Sequence, residues 1–152
     1  MTPLPNYQTL PFGKLHRIKP LWEKLNRVHL HDSVYFKDHY ASFTFKKRTM
    51  AWSKLPEENV RIWIAESEGE IVGYCVATVT NDGKGEIDSL CVEEAWQHRG
   101  VGETLVQKSM TWLESKQCTP IRLIVSHGHE SVMGFYEKLG FYPRATILEL
   151  KQ

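Results

Sequence analysis

The chain has few features that would place it outside the ordinary globular class. Cysteine is scarce and odd in number: Cys75, Cys91 and Cys118 stand far apart with no C-x-x-C spacing. A disulfide framework is therefore not expected, and a reducing cytoplasm is the simplest setting. No run of apolar residues approaches the roughly 18 that a spanning helix needs, so no membrane segment is expected. The start, "MTPLPNYQTLPFGKLHRIKP", has no basic patch followed by an apolar core and does not read as a secretory signal. Charge of one sign is missing too. With 19 basic and 18 acidic residues the net charge is +1, so no field argues for a nucleic-acid partner. No internal repeat and no low-complexity stretch breaks the chain.

What remains is 152 residues, enough for one domain whose fold buries roughly 70% of the unfolded chain's surface without covalent staples. Residues to about 55 read as mainly helical. "PLWEKLNRVHLHDS" spaces Leu21, Trp22, Leu25, Val28 and Leu30 for one helical face behind Pro20. The aromatics of "SVYFKDHYASFTFKKRTMAWSK" suggest a second helix, and a short strand is expected around "FGKLHRI". From about residue 60 strands dominate: "VRIWIAES", then "IVGYCVATVT" after an "EGE" turn, then "EIDSLCV" after "NDGKG". Val101, Leu105, Val106, Met110 and Leu113 trace the next helix face. "IRLIVS" reads as a buried strand, "SVMGFYEKLGF" as a helix closed by Gly140, and "RATILELK" as a last strand. Strands in a meander followed by helix-separated strands predict a mixed α/β sheet.

One stretch carries chemistry. "QHRGVG", Gln97 to Gly102, sits between a strand and an amphipathic helix. A helix N-terminus presents unpaired N–H groups and the positive end of the peptide dipole, and glycines there give an anion room. The spacing is neither G-x-G-x-x-G nor G-x-x-x-x-G-K-[ST], so the Rossmann fingerprint and the P-loop are excluded. On pattern alone the stretch is either a phosphate seat or a turn.

"QHRGVG" after "LCV" resembles the pyrophosphate loop, [RQ]-x-x-G-x-[GA], of the GNAT superfamily of N-acetyltransferases. "FYEKLGFYPR" resembles that superfamily's late helix-to-strand signature, in the same order and one strand later. The likeness spans about Val60 to Leu148. It implies a GNAT-like α/β (α+β) fold. This is a mixed, mostly antiparallel sheet of about six to seven strands flanked by about four helices and splayed at the CoA site. The resemblance further implies a single domain over 1–152, with 1–55 on the acceptor side and 60–150 forming the acetyl-CoA-binding core. Acetyl-CoA as co-substrate and a primary amine as direct attacker are implied with it.

By position, the resemblance assigns Gln97, His98, Arg99, Gly100, Val101, Gly102, Glu103 and Thr104 to the pyrophosphate. Arg99 also suits phosphate geometry in its own right, or is simply a solvated surface arginine. The backbone of Leu90, Cys91 and Val92 would hold the pantetheine arm, with an N–H near Val92 polarising the thioester carbonyl. Cys91 itself reads as a small buried apolar residue. Tyr136 matches the family's acid, with helix packing as its other reading. Glu86 matches the position of a glutamate base in some members. Asp88 shares its strand face and ranks behind it. Three positions depart from the pattern: Glu94 stands where proline is common, His129 where an asparagine helps hold CoA, and Val132 where a small residue is usual.

The pairs His29/His31 and His127/His129 do not complete a metal set, so no metal is expected. His29, His31, Asp32 and Asp38 are expected to border the acceptor pocket. A homodimer has a candidate surface in the exposed aromatic positions of the first half. Two competitors share these features: a CoA-sensing module without turnover, and an interaction protein in which "QHRGVG" is only a turn.

Overall fold

A computed structural model describes residues 3–152. Five strands form one sheet in the order β1-β2-β3-β4-β5. β1 (Asn6–Thr9), β2 (Val60–Ser67), β3 (Glu70–Val79) and β4 (Gly85–Val92) run antiparallel to their neighbours, while β5 (Ile121–Leu123) lies parallel to β4. The three central strands fall where β-branched and aromatic residues alternate between the "EGE" and "NDGKG" turns, and those turns close antiparallel hairpins.

Alternation along the strands feeds two cores. On one face Ile62, Ile64, Tyr74 and Val76 meet Leu21 and Trp22 of α1 (Lys19–Asp32) and Phe45 and Trp52 of α3 (Phe45–Ser53). On the other, Cys75, Ala77, Val79 and Ile87 meet Val101, Leu105, Val106, Trp112 and Leu113 of α4 (Val101–Ser115). α5 (Met133–Lys138) adds Phe135 and Tyr136 to that second layer. The sheet is thus covered on both sides, as a hydrophobic β3 requires.

Four expectations change. The single helix expected over residues 33–54 is two, α2 (Lys37–Ser42) and α3. The break falls at Phe43–Thr44, both extended or nearly so. There the Thr44 hydroxyl accepts from the Lys47 N–H at 3.2 Å and restarts the helix as an N-cap. "FGKLHRI" forms 3-10 turns, not a strand; Leu15 and Ile18 point inward at a three-residue spacing. The strand of this region is β1, on "NYQT" instead. "IRLIVS" pairs only over Ile121–Leu123, and "RATILELK" forms no strand. The sheet therefore has five strands where six to seven were expected.

Two features of β4 shape the site. β3 skips one residue of β4: Val76 pairs with Ser89 and Ala77 with Ile87, so Asp88 bulges. β5 runs beside β4 only from Gly85 to Ile87 and then leaves it. The bulge and the parting coincide, and Asp88 through Val92 loses its neighbour on that side.

Candidate active site

The parting of β4 from β5 opens a cleft of about 120 Å³. Leu25 and His29 of α1 form one wall, Asp88 to Leu90 the strand side, residues 123–126 the opposite side, and Tyr136 and His129 the far end.

The loop Glu93–Gly100 leads from β4 into α4 and is braced locally. The Gln97 side-chain amide donates to the Val92 carbonyl at 3.0 Å, and the Arg99 guanidinium sits 5.4 Å from the centre of the Trp96 ring. Gly100 takes φ 81°, ψ 3°, a left-handed conformation that glycine adopts without a Cβ penalty, immediately before the first helical residue. No side chain caps α4. Its first-turn amides are therefore free of the usual Ser, Thr or Asp oxygen and face outward. A Cβ at Gly102 would touch the Phe135 ring at 3.4 Å and Val92 Cγ2 at 3.6 Å, both ordinary contacts. Gln97 and Arg99 are thus tied to the loop by their side chains; the Thr104 amide donates to the Gly100 carbonyl at 3.0 Å, so the uncapped amides of the turn are those of Val101, Gly102 and Glu103.

Leu90 lines the cleft, and Cys91 is half-buried on the opposite face of the strand with the α1 core. Burial pushes the Cys91 thiol up to about 12, with the Glu93 carboxylate adding to the rise, so it stays protonated at neutral pH and is a poor nucleophile.

At the head of the cleft two carboxylates stand side by side. Glu86 accepts from the Arg122 guanidinium at 3.0 and 3.2 Å and is not part of the cleft wall. Asp88 is. Its Oδ2 accepts from the Thr78 hydroxyl at 2.6 Å, and the Arg48 guanidinium donates to the Asp88 carbonyl at 2.7 Å. That last bond satisfies a carbonyl at the strand's bulge. Burial pushes the Asp88 carboxyl up to about 6; Thr78 and Arg48 pull it down, and the neighbouring Glu86 carboxylate raises it. The sequence ranked Glu86 ahead of Asp88 on the resemblance, and strand periodicity, which sets both on one face, cannot show the bulge at Asp88.

Tyr136 reaches the cleft from α5. Its ring stands nearly perpendicular to those of Phe135 and Phe141, and Phe141 is folded back by a 3.0 Å bond from its amide to the Tyr136 carbonyl. Burial raises the hydroxyl above its ordinary range, so it remains a proton donor at any working pH.

His129 is drawn toward α1: its Nδ1 lies 3.2 Å from Asp32 Oδ2, and the residue lines the cleft. Gly128 makes this approach feasible. Its φ is +99°, and a Cβ there would overlap the Asp32 carbonyl oxygen. His29 stacks edge-on against His129 with centroids 5.0 Å apart, and its buried Nδ1 has no partner among the described residues. Burial lowers its pKa to about 4, with the neighbouring His129 contributing, so it is neutral at physiological pH. The Tyr40 hydroxyl donates to Ser126 Oγ at 2.8 Å and completes the cover over this end. The "HGH" spelling therefore records a close backbone approach, a reading that sequence spacing did not supply. His31 and Asp38 stay outside the cleft wall. Among the described residues no cluster of three or more metal-ligating side chains occurs. No helix there is long and apolar enough to cross a membrane.

The sequence model described as "Acetyltransferase (GNAT) family" matches residues 18–141. The chain belongs to the GNAT family. Among curated relatives, an N-alpha-acetyltransferase of Sulfurisphaera tokodaii is 29% identical over 99 residues, covering 57% of this chain and 59% of that protein. An acetyltransferase of Pectobacterium atrosepticum is 33% identical over 79 residues, covering 51% and 55%. The chain thus matches these relatives over little more than half their length. Solved GNAT structures share the fold throughout. A GCN5-related N-acetyltransferase from Ralstonia eutropha superposes with a TM-score of 0.77 at 16% identity, covering 95% of this chain and 97% of that one. The aminoglycoside N-acetyltransferase AAC(6')-Iy, solved with CoA, does so with a TM-score of 0.68 at 14% identity over 97% and 98%. The five-stranded sheet, parted between β4 and β5, is this chain's version of the GNAT fold.

Proposed function

We propose that the protein is an acetyl-CoA-dependent N-acetyltransferase acting on a primary amine. The observation that carries the reading is the placement of Asp88 and Tyr136 on the walls of one cleft whose strand leads straight to an uncapped helix mouth. The residues fit the coenzyme. The turn from Gly100 to Glu103, with Gln97 and His98 before it, would take the diphosphate on main-chain amides, and Thr104, whose amide is already bonded to Gly100, could add only its hydroxyl. Arg99, though stacked on Trp96, would add a peripheral charge. The exposed backbone of Leu90, Cys91 and Val92 would take the pantetheine arm as an added strand. His129 Nε2 would replace the contact an asparagine makes in relatives of the usual pattern. Bound acetyl-CoA supplies an activated thioester carbonyl.

The chain's own groups supply the proton chemistry. An amine must lose a proton to attack, and Asp88, poised near neutrality, accepts it directly or through one water. Glu86 acts through Asp88: burial raises the Asp88 pKa, and the carboxylate alongside adds a smaller push in the same direction. As the new N–C bond forms and the C–S bond breaks, Tyr136 would give its hydroxyl proton to the departing sulfur, and the second proton shed by the attacking nitrogen would pass through water to restore the tyrosine. Asp88 then returns the first proton to the solvent, so the cycle closes with one proton released per amide formed. His29, held neutral by burial, places an uncharged imidazole on the α1 wall of the cleft.

A CoA-release assay over polyamines, amino acids, aminoglycosides and peptide N-termini tests the proposal. Turnover with at least one class, abolished in Tyr136→Phe/Asp88→Asn, is the expected result. Acetyl-CoA binding with no turnover on any amine would reduce the protein to a sensor.

A further inference from the structure

Three side chains from outside β4 hold its bulge. The Thr78 hydroxyl of β3 donates to Asp88 Oδ2 at 2.6 Å, and Tyr74, also of β3, shares a 2.7 Å bond with the Ser89 hydroxyl. The third comes from the first half of the chain. Arg48 of α3 donates from Nη2 to the Asp88 carbonyl at 2.7 Å, and the same nitrogen lies 3.8 Å from Asp88 Oδ1. One guanidinium thus faces both the main chain and the carboxylate of a single residue, which the planar fork of arginine permits. Arg48 is itself well fixed. Phe45 and Trp52 stand three and four residues away, neighbours on the same helix surface, and both are buried in the core. The guanidinium lies 5.0 Å from the centre of the Trp52 ring, and the Arg48 and Asp88 side chains are only 25% and 15% exposed.

We propose that Arg48 is the positioning residue of the base: it clamps the β4 bulge by its main chain and sets a fixed positive charge beside the Asp88 carboxylate. The inference rests on the reading of Asp88 as the proton acceptor. Arg48 is not part of the cleft wall, so it acts through Asp88 and not on the amine. A buried carboxyl without a cation holds its proton past neutrality, and a base must be free of that proton to act. The other titratable groups around Asp88 do not supply the missing charge. Cys75 of β3 and Tyr136 of α5 are kept protonated by burial, and His29 of α1 is kept neutral. His129, at the far end of the cleft, is paired with Asp32. Arg122 of β5 is bound to Glu86, whose own charge opposes ionisation of Asp88. Among the described residues Arg48 is the one cation paired with the Asp88 carboxylate, and it works against the burial that raises the carboxyl. The helix that carries Phe45 and Trp52 into the core therefore also holds the base, forty residues away along the chain.

Two pH titrations on the full chain decide this. One follows the Asp88 carboxyl carbon by NMR in the free protein, and the other follows kcat/KM for CoA release with the most active amine of the panel. Arg48→Met leaves an unbranched side chain against Trp52 but removes the donor and the charge. The Asp88 midpoint, near 6 in the parent, should rise by about one pH unit or more in this variant, and Arg48→Lys should bring most of the change back. The acid limb of kcat/KM should move with it, a loss of roughly tenfold at pH 5.5, while the KM for acetyl-CoA changes less than twofold. A midpoint that stays put in Arg48→Met overturns the proposal, because Arg48 then only packs on Trp52. A midpoint that moves while the pH–rate curve does not, or while no amine turns over, sinks the reading of Asp88 as the base, and the role of Arg48 in catalysis goes with it. Should Arg48→Met fail to fold by circular dichroism, Arg48→Gln, which keeps a donor for the bulge carbonyl and drops the charge, takes its place with the same expected rise.

Discussion

Asp88 is asked to be a base in a place that disfavours its charge. Its raised pKa has a definite sign in stability: the contribution is present below the unfolded value of 3.8 and is lost as pH rises through about 6. At neutral pH the ionised carboxylate therefore costs folding free energy, on the order of 1–3 kcal/mol. Asp88→Asn removes the cost while its amide oxygen still accepts from Thr78 and the backbone carbonyl keeps Arg48. The variant should melt several degrees higher than the parent at pH 7.5, show no such gain at pH 3.5, and lose roughly 10²-fold or more in kcat/KM. In the parent, kcat/KM should fall on the acid side with an apparent pKa near 6. A variant that is inactive and also less stable at pH 7.5 would mean that Asp88 is structural. Tyr136 answers the opposite need, a proton that must not leave early. Tyr136→Phe keeps the ring contacts with Phe135 and Phe141, so acetyl-CoA affinity should change less than twofold while kcat drops roughly 10²-fold. Equal turnover would remove it as the acid.

Elements show what was legible in the sequence. β2, β3 and β4 fall within a residue or so of the stretches expected from alternation, because turn chemistry bounds them on both sides. α1 and α4 follow their apolar stripes. β1 was not legible, since "NYQT" has no apolar face and is a strand only by pairing with β2. The α2–α3 break depends on one threonine hydroxyl in an aromatic run that otherwise reads as continuous. The glycine loop before α4 and Tyr136 stand out in local motifs, whereas the placing of Asp88 and of the α1 wall depends on a bulge and on contacts nearly a hundred residues apart, such as Asp32 with His129. Gly128 belongs to this second kind. Gly128→Ala would impose a left-handed φ on a residue with a Cβ and press it into the end of α1. A loss of about 2 kcal/mol or more is expected by denaturant titration, from the backbone penalty of roughly 1–2 kcal/mol plus the overlap. The same variant should raise the KM for the amine, because His129 and His29 lose their common footing. Unchanged stability would show that the loop is free to move off α1.

For the whole molecule, the decisive coupling is between the anion seat and folding stability, and one substitution separates the two. Acetyl-CoA bound only by the native state should stabilise it by about 2.7 kcal/mol at a hundredfold excess over Kd, a rise of roughly 5–10 °C for a chain of this size. Gly102→Glu should leave the fold intact, since Gly102 lies in the first turn of α4 and its Cβ would make ordinary contacts with Phe135 at 3.4 Å and Val92 at 3.6 Å. A carboxylate in the first turn of α4 also complements the helix dipole, so the ligand-free variant should melt no lower than the parent, and a few tenths of a kcal/mol of gain is expected. On the proposed reading the same carboxylate would occupy the diphosphate's place and repel it. The thermal shift with acetyl-CoA should therefore vanish while the ligand-free melting temperature holds or rises. Loss of both together would mean that the substitution merely damaged the protein. A retained shift would place the coenzyme's phosphates somewhere other than the mouth of α4, and the cleft between β4 and β5 would then have to be read without them.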